Sequence, residues 1–187
     1  MQVETTEKIV EAYVRYVKRW FTIPNIKCKG QMEIDLLAID ASEPHAIRRY
    51  HIESGISISG GFSKLTNRPF SEEHLKDRVK QPSQRRTLGY FTSRKFSHLG
   101  VLETLRAYGF VPGNYSRIVV SWGWEDGVAE AARSQGVELW DFRHLLLQVA
   151  DSAGTDKTYF TDDTLRTLQL MALAARKELK SSNPGQA

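Results

Sequence analysis

The sequence predicts an α/β fold, a central mixed β-sheet flanked by helices, with one more helix at the C-terminal end. Three observations carry this. Gln31–Ser59 reads as two strands joined by a turn, MEIDLLAID and RRYHIESGISIS. Arg117–Phe142 reads as strand, Ala-rich helix and strand with short links, which implies a parallel pair and a right-handed crossover. Amphipathic helical periodicity precedes the first block and follows the second.

In chain order, Val3–Phe21 carries Ile9, Val10, Tyr13, Val14, Val17, Trp20 and Phe21 at helical spacing, with Thr5 or Thr6 as cap and Pro24 as stop. Glu7 sits beside that apolar stripe and Glu11 a little further round, each either reaching towards a strand pair or staying solvated. Ile26–Gly30 reads as a short edge strand with Lys27 and Lys29 on one face. In the hairpin that follows, ASEPHAIR supplies the turn. The first strand carries Asp35. In the second, Tyr50, Ile52 and Ser54 alternate with His51, Glu53 and Gly55. Asp35 and Glu53 can therefore face each other, and two such carboxylates form a hard oxygen site suited to Mg²⁺ or Mn²⁺. The alternative is structural ion pairing, of Asp35 with Arg48 or Arg49 and of Glu53 with Lys27 or Lys29.

Residues 62–98 form a basic insert. Nine lysines and arginines face three acids there, so the segment is +6 while the chain as a whole is +4. Such a concentration favours a polyanionic partner, although a solvated connection has the same composition. Within it SEEHLKDRVK reads as a short helix capped by Ser71, QPSQRRTLG as a loop, and YFTSRKF as a brief strand or ordered loop. Lys64, Arg85, Arg86, Arg94 and Lys95 are the candidate phosphate contacts. Tyr90, Phe91 and Phe96 serve either as stacking groups for a nucleic acid or as tethers to the core.

Beyond the insert, Ser97–Tyr108 reads as a helix with Leu99, Leu102, Leu105 and Tyr108 inward, and Arg117–Trp124 as a buried strand. Glu125–Gln135 is the Ala-rich helix, Val137–Phe142 a further strand, and Trp122, Trp124 and Trp140 are expected in the core. A helix begins at Arg143–Val149, and Asp151–Asp156 reads as a polar link. Thr161 caps a long last helix to Lys180, where Leu165, Leu168, Ala172, Ala175 and Leu179 suit packing on a neighbouring helix or on a partner copy, a possible homodimer. The expected organisation is one domain over 1–150, a helical appendage over 151–182 and a disordered tail over 183–187.

Composition excludes several classes. No apolar run is long enough for a transmembrane helix, so no membrane is expected. The N-terminal residues lack the form of a signal peptide, and Cys28 is the single cysteine, which together point to a cytoplasmic location without disulfides. The five histidines show no ligand spacing, which speaks against zinc. GISISGG is followed by no Walker lysine, which speaks against a nucleotide loop.

The order helix, acid-bearing hairpin, insert, helix, strand, helix, strand, with EIDLLAID and YHIESG in the hairpin, resembles the PD-(D/E)XK nuclease superfamily and its restriction-endonuclease-like fold. The likeness covers residues 3–149. It implies a metal-dependent nuclease acting on DNA, or on RNA, with Asp35, Glu53 and the Ser54 carbonyl holding Mg²⁺ or Mn²⁺ and Glu7 or Glu11 assisting. One departure stands out: the motif lysine is Gly55. Three outcomes stay open: Lys64, Lys27 or Lys29 substitutes for it in space, water or Ser57 takes its place, or activity is lost, leaving a catalytically inactive nucleic-acid-binding module.

Overall fold

The computed structural model describes residues 4–43, 45–56, 64–155 and 160–182, with side chains omitted for residue 155 and for 177–182. Ser57, the Gly60-Gly61 turn, the 183–187 tail and the side chain of Leu179 lie outside the described residues. Among the described residues the architecture is α/β, a five-stranded mixed sheet in the order β1-β2-β3-β4-β5 with helices on both faces and a C-terminal helix. No helix among them is long and apolar enough to cross a membrane.

The first helix, α1 (Thr5–Ala12), continues as a π-helical turn over Tyr13–Val17 and ends there, short of Phe21. Its N-cap is Glu4, and neither threonine caps it through a side chain. Phe21 instead opens β1 (Phe21–Cys28), longer than the expected edge strand. Pro24 lies inside that strand, tolerated because β1 is at the sheet edge. β1 pairs antiparallel with β2 (Met32–Asp40), which pairs antiparallel with β3 (Arg48–Ser54). β3 then pairs in parallel with β4 (Ser116–Ser121), and β4 with β5 (Val137–Asp141). The register sets Asn25 of β1 opposite Asp35, and Asn25 has a φ of 55°, a left-handed conformation that asparagine tolerates.

Strand alternation divides the core. Leu36, Ala38, Ile52, Ile118 and Val120 face α1 and the two C-terminal helices, α6 (Phe142–Thr155) and α7 (Asp163–Ser182). Val119 and Val137 face the other way, towards Leu88, Phe91 and Phe96 of the insert and Val128 and Ala132 of α5 (Val128–Ser134). In α4 (Leu99–Ala107) the inward residues are Val101 and Leu105, whereas Leu99 and Tyr108, expected inside, are exposed. Trp140 packs against the first core, while Trp122 and Trp124 lie just beyond the end of β4 and pack against its two faces.

The C-terminal part departs from the expected link. Residues 151–155 continue α6 rather than forming a polar connection. Asp162, not Thr161, caps α7: its Oδ1 accepts from the backbone N–H groups of Thr164 and Leu165, and its other oxygen takes Lys8 Nζ of α1 at 2.7 Å. Leu165 and Leu168 are spent in the same chain, packed on the α1–α6 core. In the insert, α2 (Glu72–Lys76) is capped by Ser71 as expected, but the segment read as a loop contains the short turn α3 (Gln81–Gln84). Tyr90–Lys95, read as strand or loop, is a π-helical turn closed by Phe96 N–H to the Phe91 carbonyl at 2.8 Å.

Candidate active site

Asp35 on β2 and Glu53 on β3 stand one residue beyond Leu36 and Ile52, the last pair of the antiparallel ladder. The Asp35 carboxylate is fixed by the Ser54 backbone N–H, which donates to Oδ2 at 2.7 Å. Glu53 is fully buried, and its Oε1 meets the ring Nε2 of His51 at 2.6 Å. The sequence marks both acids, and the hairpin brings them together as alternation requires.

The cation between them is Lys95. Its Nζ donates to Asp35 Oδ1 at 3.0 Å and to the Glu33 carbonyl at 2.9 Å, and lies 2.5 Å from Glu53 Oε2. The contact with Glu53 Oε2 is a short buried ion pair. Sequence reasoning assigns Lys95 to an exposed phosphate-gripping set. The structure corrects this, because its side chain is only 12% exposed and is spent on the two acids. The substitutes named from sequence are elsewhere: Lys27 pairs with Glu33, Lys29 with Glu103 at 3.0 Å, and Lys64 is exposed. Asp35 and Glu53 do not pair with Arg48 or Arg49; Arg48 is held by Glu43 and Asp40.

Gly55 lets the insert approach this closely. A Cβ built there would lie 2.7 Å from Cζ of the buried Phe91 ring. The volume a side chain at 55 would need is filled by an aromatic side chain of the insert. The π-helical turn that carries Phe91 also carries Lys95 four residues on, and Phe96 closes the turn into the core. Phe91 and Phe96 are thus core tethers, while Tyr90, with Phe91 beside it, lines the cavity above the acids. Such π-turns recur at functional sites because they re-aim one side chain within an otherwise helical backbone.

That cavity, about 630 Å³, is lined by Glu4 and Glu7 of the α1 start, by Asp35, Ser54 and Gly55, and by Arg85, Arg86, Tyr90 and Lys95, among others. Glu7 therefore joins the site. Glu11 does not: it accepts from Thr22 Oγ1 at 3.1 Å and pairs with Arg15. Arg85 is exposed at the rim, Arg86 lines the same cavity, and Arg94 is paired with Glu72 at 2.7 Å.

The electrostatics follow from burial. Desolvation, then the charge of Glu53, pushes Asp35 up to about 7, against the pull of Lys95. Burial likewise raises Glu53 to about 7, again opposed by Lys95. Glu7 rises to about 7 through desolvation first and the Asp35 charge second. For Lys95 burial disfavours the charge, but Glu53 and Asp35 outweigh it and hold the ammonium protonated. His51 is pushed down to about 3, chiefly by burial, and is neutral. Its Nδ1 has no partner among the described residues, so the ring proton belongs on Nε2, donated to Glu53. Sequence reasoning leaves His51 as a bordering residue; its contact is direct.

No family model matches the chain, and no curated protein matches it. Among solved structures it is similar to the crystal structure of a protein of unknown function, AF1548, with a TM-score of 0.45 and 13% identity, over 98% of this chain and 100% of that one. A likeness at that level carries no argument about function.

Proposed function

We propose that this protein is a metal-dependent nuclease that hydrolyses phosphodiester bonds in DNA, on the restriction-endonuclease-like plan of the PD-(D/E)XK superfamily. The observation that carries the reading is Lys95 Nζ at 3.0 Å from Asp35 and 2.5 Å from Glu53. It supplies from the insert the ammonium that is absent at Gly55.

The residues fit a hard divalent cation. Among the described residues no group of three or more His, Cys, Asp or Glu side chains is placed to hold a metal, which disfavours zinc. Mg²⁺ and Mn²⁺ need less, since Mg²⁺ keeps several waters and takes one or two carboxylates. Asp35 and Glu53 would hold it with the Ser54 carbonyl. Burial is the main cause of their raised pKa values, with the charge of Glu53 adding to that of Asp35, so a bound cation would favour the charged form of both. When bound, the cation lowers the pKa of a water and stabilises charge on the phosphate.

The chain's own groups then divide the work. Lys95 stays charged, so it acts electrostatically on the developing negative charge rather than as a base. Glu7, with a pKa of about 7 in the same cavity, is matched to accept a proton at neutral pH. Arg85 and Arg86 hold the phosphate backbone at the rim.

A second reading draws on the same ammonium. Lys95 bridging both acids is a self-contained ion pair, which suits a catalytically inactive nucleic-acid-binding module. Cleavage assays on DNA and RNA with Mg²⁺, Mn²⁺ or EDTA, beside Mn²⁺ titration of wild type and Asp35→Asn, separate the two. The nuclease reading expects metal-dependent cutting and Mn²⁺ binding that both vanish in the variant. Nucleic-acid binding indifferent to metal, with no cutting, selects the module.

A further inference from the structure

We propose that the site takes one strand of nucleic acid at a time, so that single-stranded or splayed DNA rather than intact duplex is its ligand. This deepens the nuclease reading and rests on it for the cutting step alone.

The reacting groups are recessed. The side chains of Asp35 and Lys95, each 12% exposed, line the cavity beside α1 and the insert, and that of Glu53, at 0%, is buried behind Lys95. A scissile phosphate has to be inserted to reach them. The charge around the opening is asymmetric, with Glu4 and Glu7 contributed by the start of α1 and Arg85 and Arg86 by the segment after α3. A duplex brings two phosphate backbones, one charge per about 1.7 Å of axis. One of them can follow the arginines, while the other must lie among the acids of α1. A single strand avoids that repulsion.

The basic side also continues. A second recess of about 340 Å³ shares Gln81, Arg85 and Tyr90 with the first and adds Lys76 and the ion pair of Arg94 with Glu72. Arg85 and Lys76 therefore carry positive charge out of the catalytic cavity past the Tyr90 ring into the neighbouring recess. Tyr90 is half-buried and fixed by edge contacts to Phe70 and Phe91, with ring centroids 5.9 and 5.4 Å away. A basic track with a rigid aromatic along it is the composition that binds single strands, phosphates on the cations and a base on the ring.

The test is fluorescence anisotropy in EDTA with labelled oligothymidine, a blunt duplex and a forked duplex, followed by cleavage of the same three with Mg²⁺ or Mn²⁺. Oligothymidine and the fork should bind at least about 10-fold tighter than the blunt duplex at equal salt. Tyr90→Ala should weaken oligothymidine about 10-fold, and Arg85→Glu, at an exposed position, should do so without a folding defect. Glu4→Lys should narrow the preference by strengthening duplex binding. Equal or tighter duplex binding, or single-strand affinity indifferent to Arg85→Glu, overturns the proposal. Strand-selective binding without cutting would leave it standing and remove the nuclease reading, whereas cutting without strand preference would do the reverse.

Discussion

The hairpin β2–β3 and the insert that packs on it build the same site by opposite means. The hairpin contributes negative groups from regular backbone: Asp35 and Glu53 follow directly on a ladder that ends with the pair Leu36 and Ile52. The insert contributes the positive group from irregular backbone. Lys95 is placed by the buried rings of Phe91 and Phe96, on either side of it in a π-turn. Acids fixed by hydrogen bonds cannot move to find a cation, so the cation must be brought to them by packing. The site is only as precise as the contact between Phe91 and Gly55.

Removing the cation gives the largest effect. Lys95→Met keeps the stem and deletes the charge, leaving two buried carboxylates to face each other unpaired. Breaking a buried pair from one side typically costs about 3–5 kcal/mol, reduced here because both acids can protonate. Cleavage should fall at least about 100-fold, and chemical denaturation should show the loss growing with pH. Undiminished cleavage by Lys95→Met would disconnect the insert from the chemistry.

Next comes the contact that seats the insert. In Gly55→Ala the new methyl would meet Phe91 at 2.7 Å, an overpacking of a kind that costs about 1–3 kcal/mol. Because the strain falls on the turn that carries Lys95, cleavage should drop more than thermal stability accounts for at the assay temperature. Pairing it with Phe91→Leu, which makes room, should recover part of both. A stability loss with full activity would mean that Phe91 packs on Gly55 without aiming Lys95.

His51 sharpens the comparison from the hairpin side. Its neutral ring donates to Glu53 Oε1 and leaves Oε2 turned to Lys95. In His51→Leu the carboxylate loses its orienting donor, at about 1–3 kcal/mol for a buried acceptor left unpaired. The expected outcome is a roughly 10-fold drop in kcat with KM for DNA little changed. His51→Gln, whose amide reaches the place of Nε2, should restore most of it. Nitrogen NMR of the metal-free protein should find the Nε2–H form, uncharged from pH 5 to 8; an imidazolium there would reverse the assignment.

The two regions also differ in how far they can be read from sequence. Asp35 and Glu53 are legible because strand alternation is strictly local: MEIDLLAID and RRYHIES fix the faces, and the short turn fixes which strands meet. Lys95 is not, since its distance from Asp35 along the chain is 60 residues and nothing local distinguishes it from Arg94, which turns out to Glu72. A usable signal was present in Gly55. A glycine at the end of a strand often marks close approach by another element, and the aromatic-rich, lysine-bearing YFTSRKF is the segment able to approach. The helices fared similarly. The α5 unit between two strands was legible from its links, whereas the capping of α7 by Asp162 depends on Lys8 of a distant helix as well as on local chemistry. The same distance-dependence hid the continuation of α6, whose Ala153 is buried among residues of α1 and α7.

The smallest expected effect concerns the pH dependence of the metal-free protein, and its sign is fixed by burial. Glu7, Asp35 and Glu53 have folded-state values near 7 against ordinary values of 4.5, 3.8 and 4.5. Between about pH 4 and pH 7 the folded state therefore keeps protons that the unfolded chain has released, and stability falls as pH rises through that window. His51, lowered from 6.5 to about 3, acts in the opposite sense up to about pH 6.5 but is one group against three, and Asp40, Asp141 and Asp162, whose values are lowered chiefly by hydrogen bonds from Ser42, Arg143 and Lys8, oppose only in more acidic solution. In EDTA the melting temperature should thus be higher at pH 5 than at pH 8, by a few degrees. Asp35→Asn should flatten the difference. Mg²⁺ should raise the melting temperature at pH 8 by mass action and do little at pH 5, where protons hold its place. A metal-free protein that gains stability from pH 5 to pH 8 would mean that Lys95 alone satisfies both acids, and the hairpin would then be a closed ion pair rather than an open site.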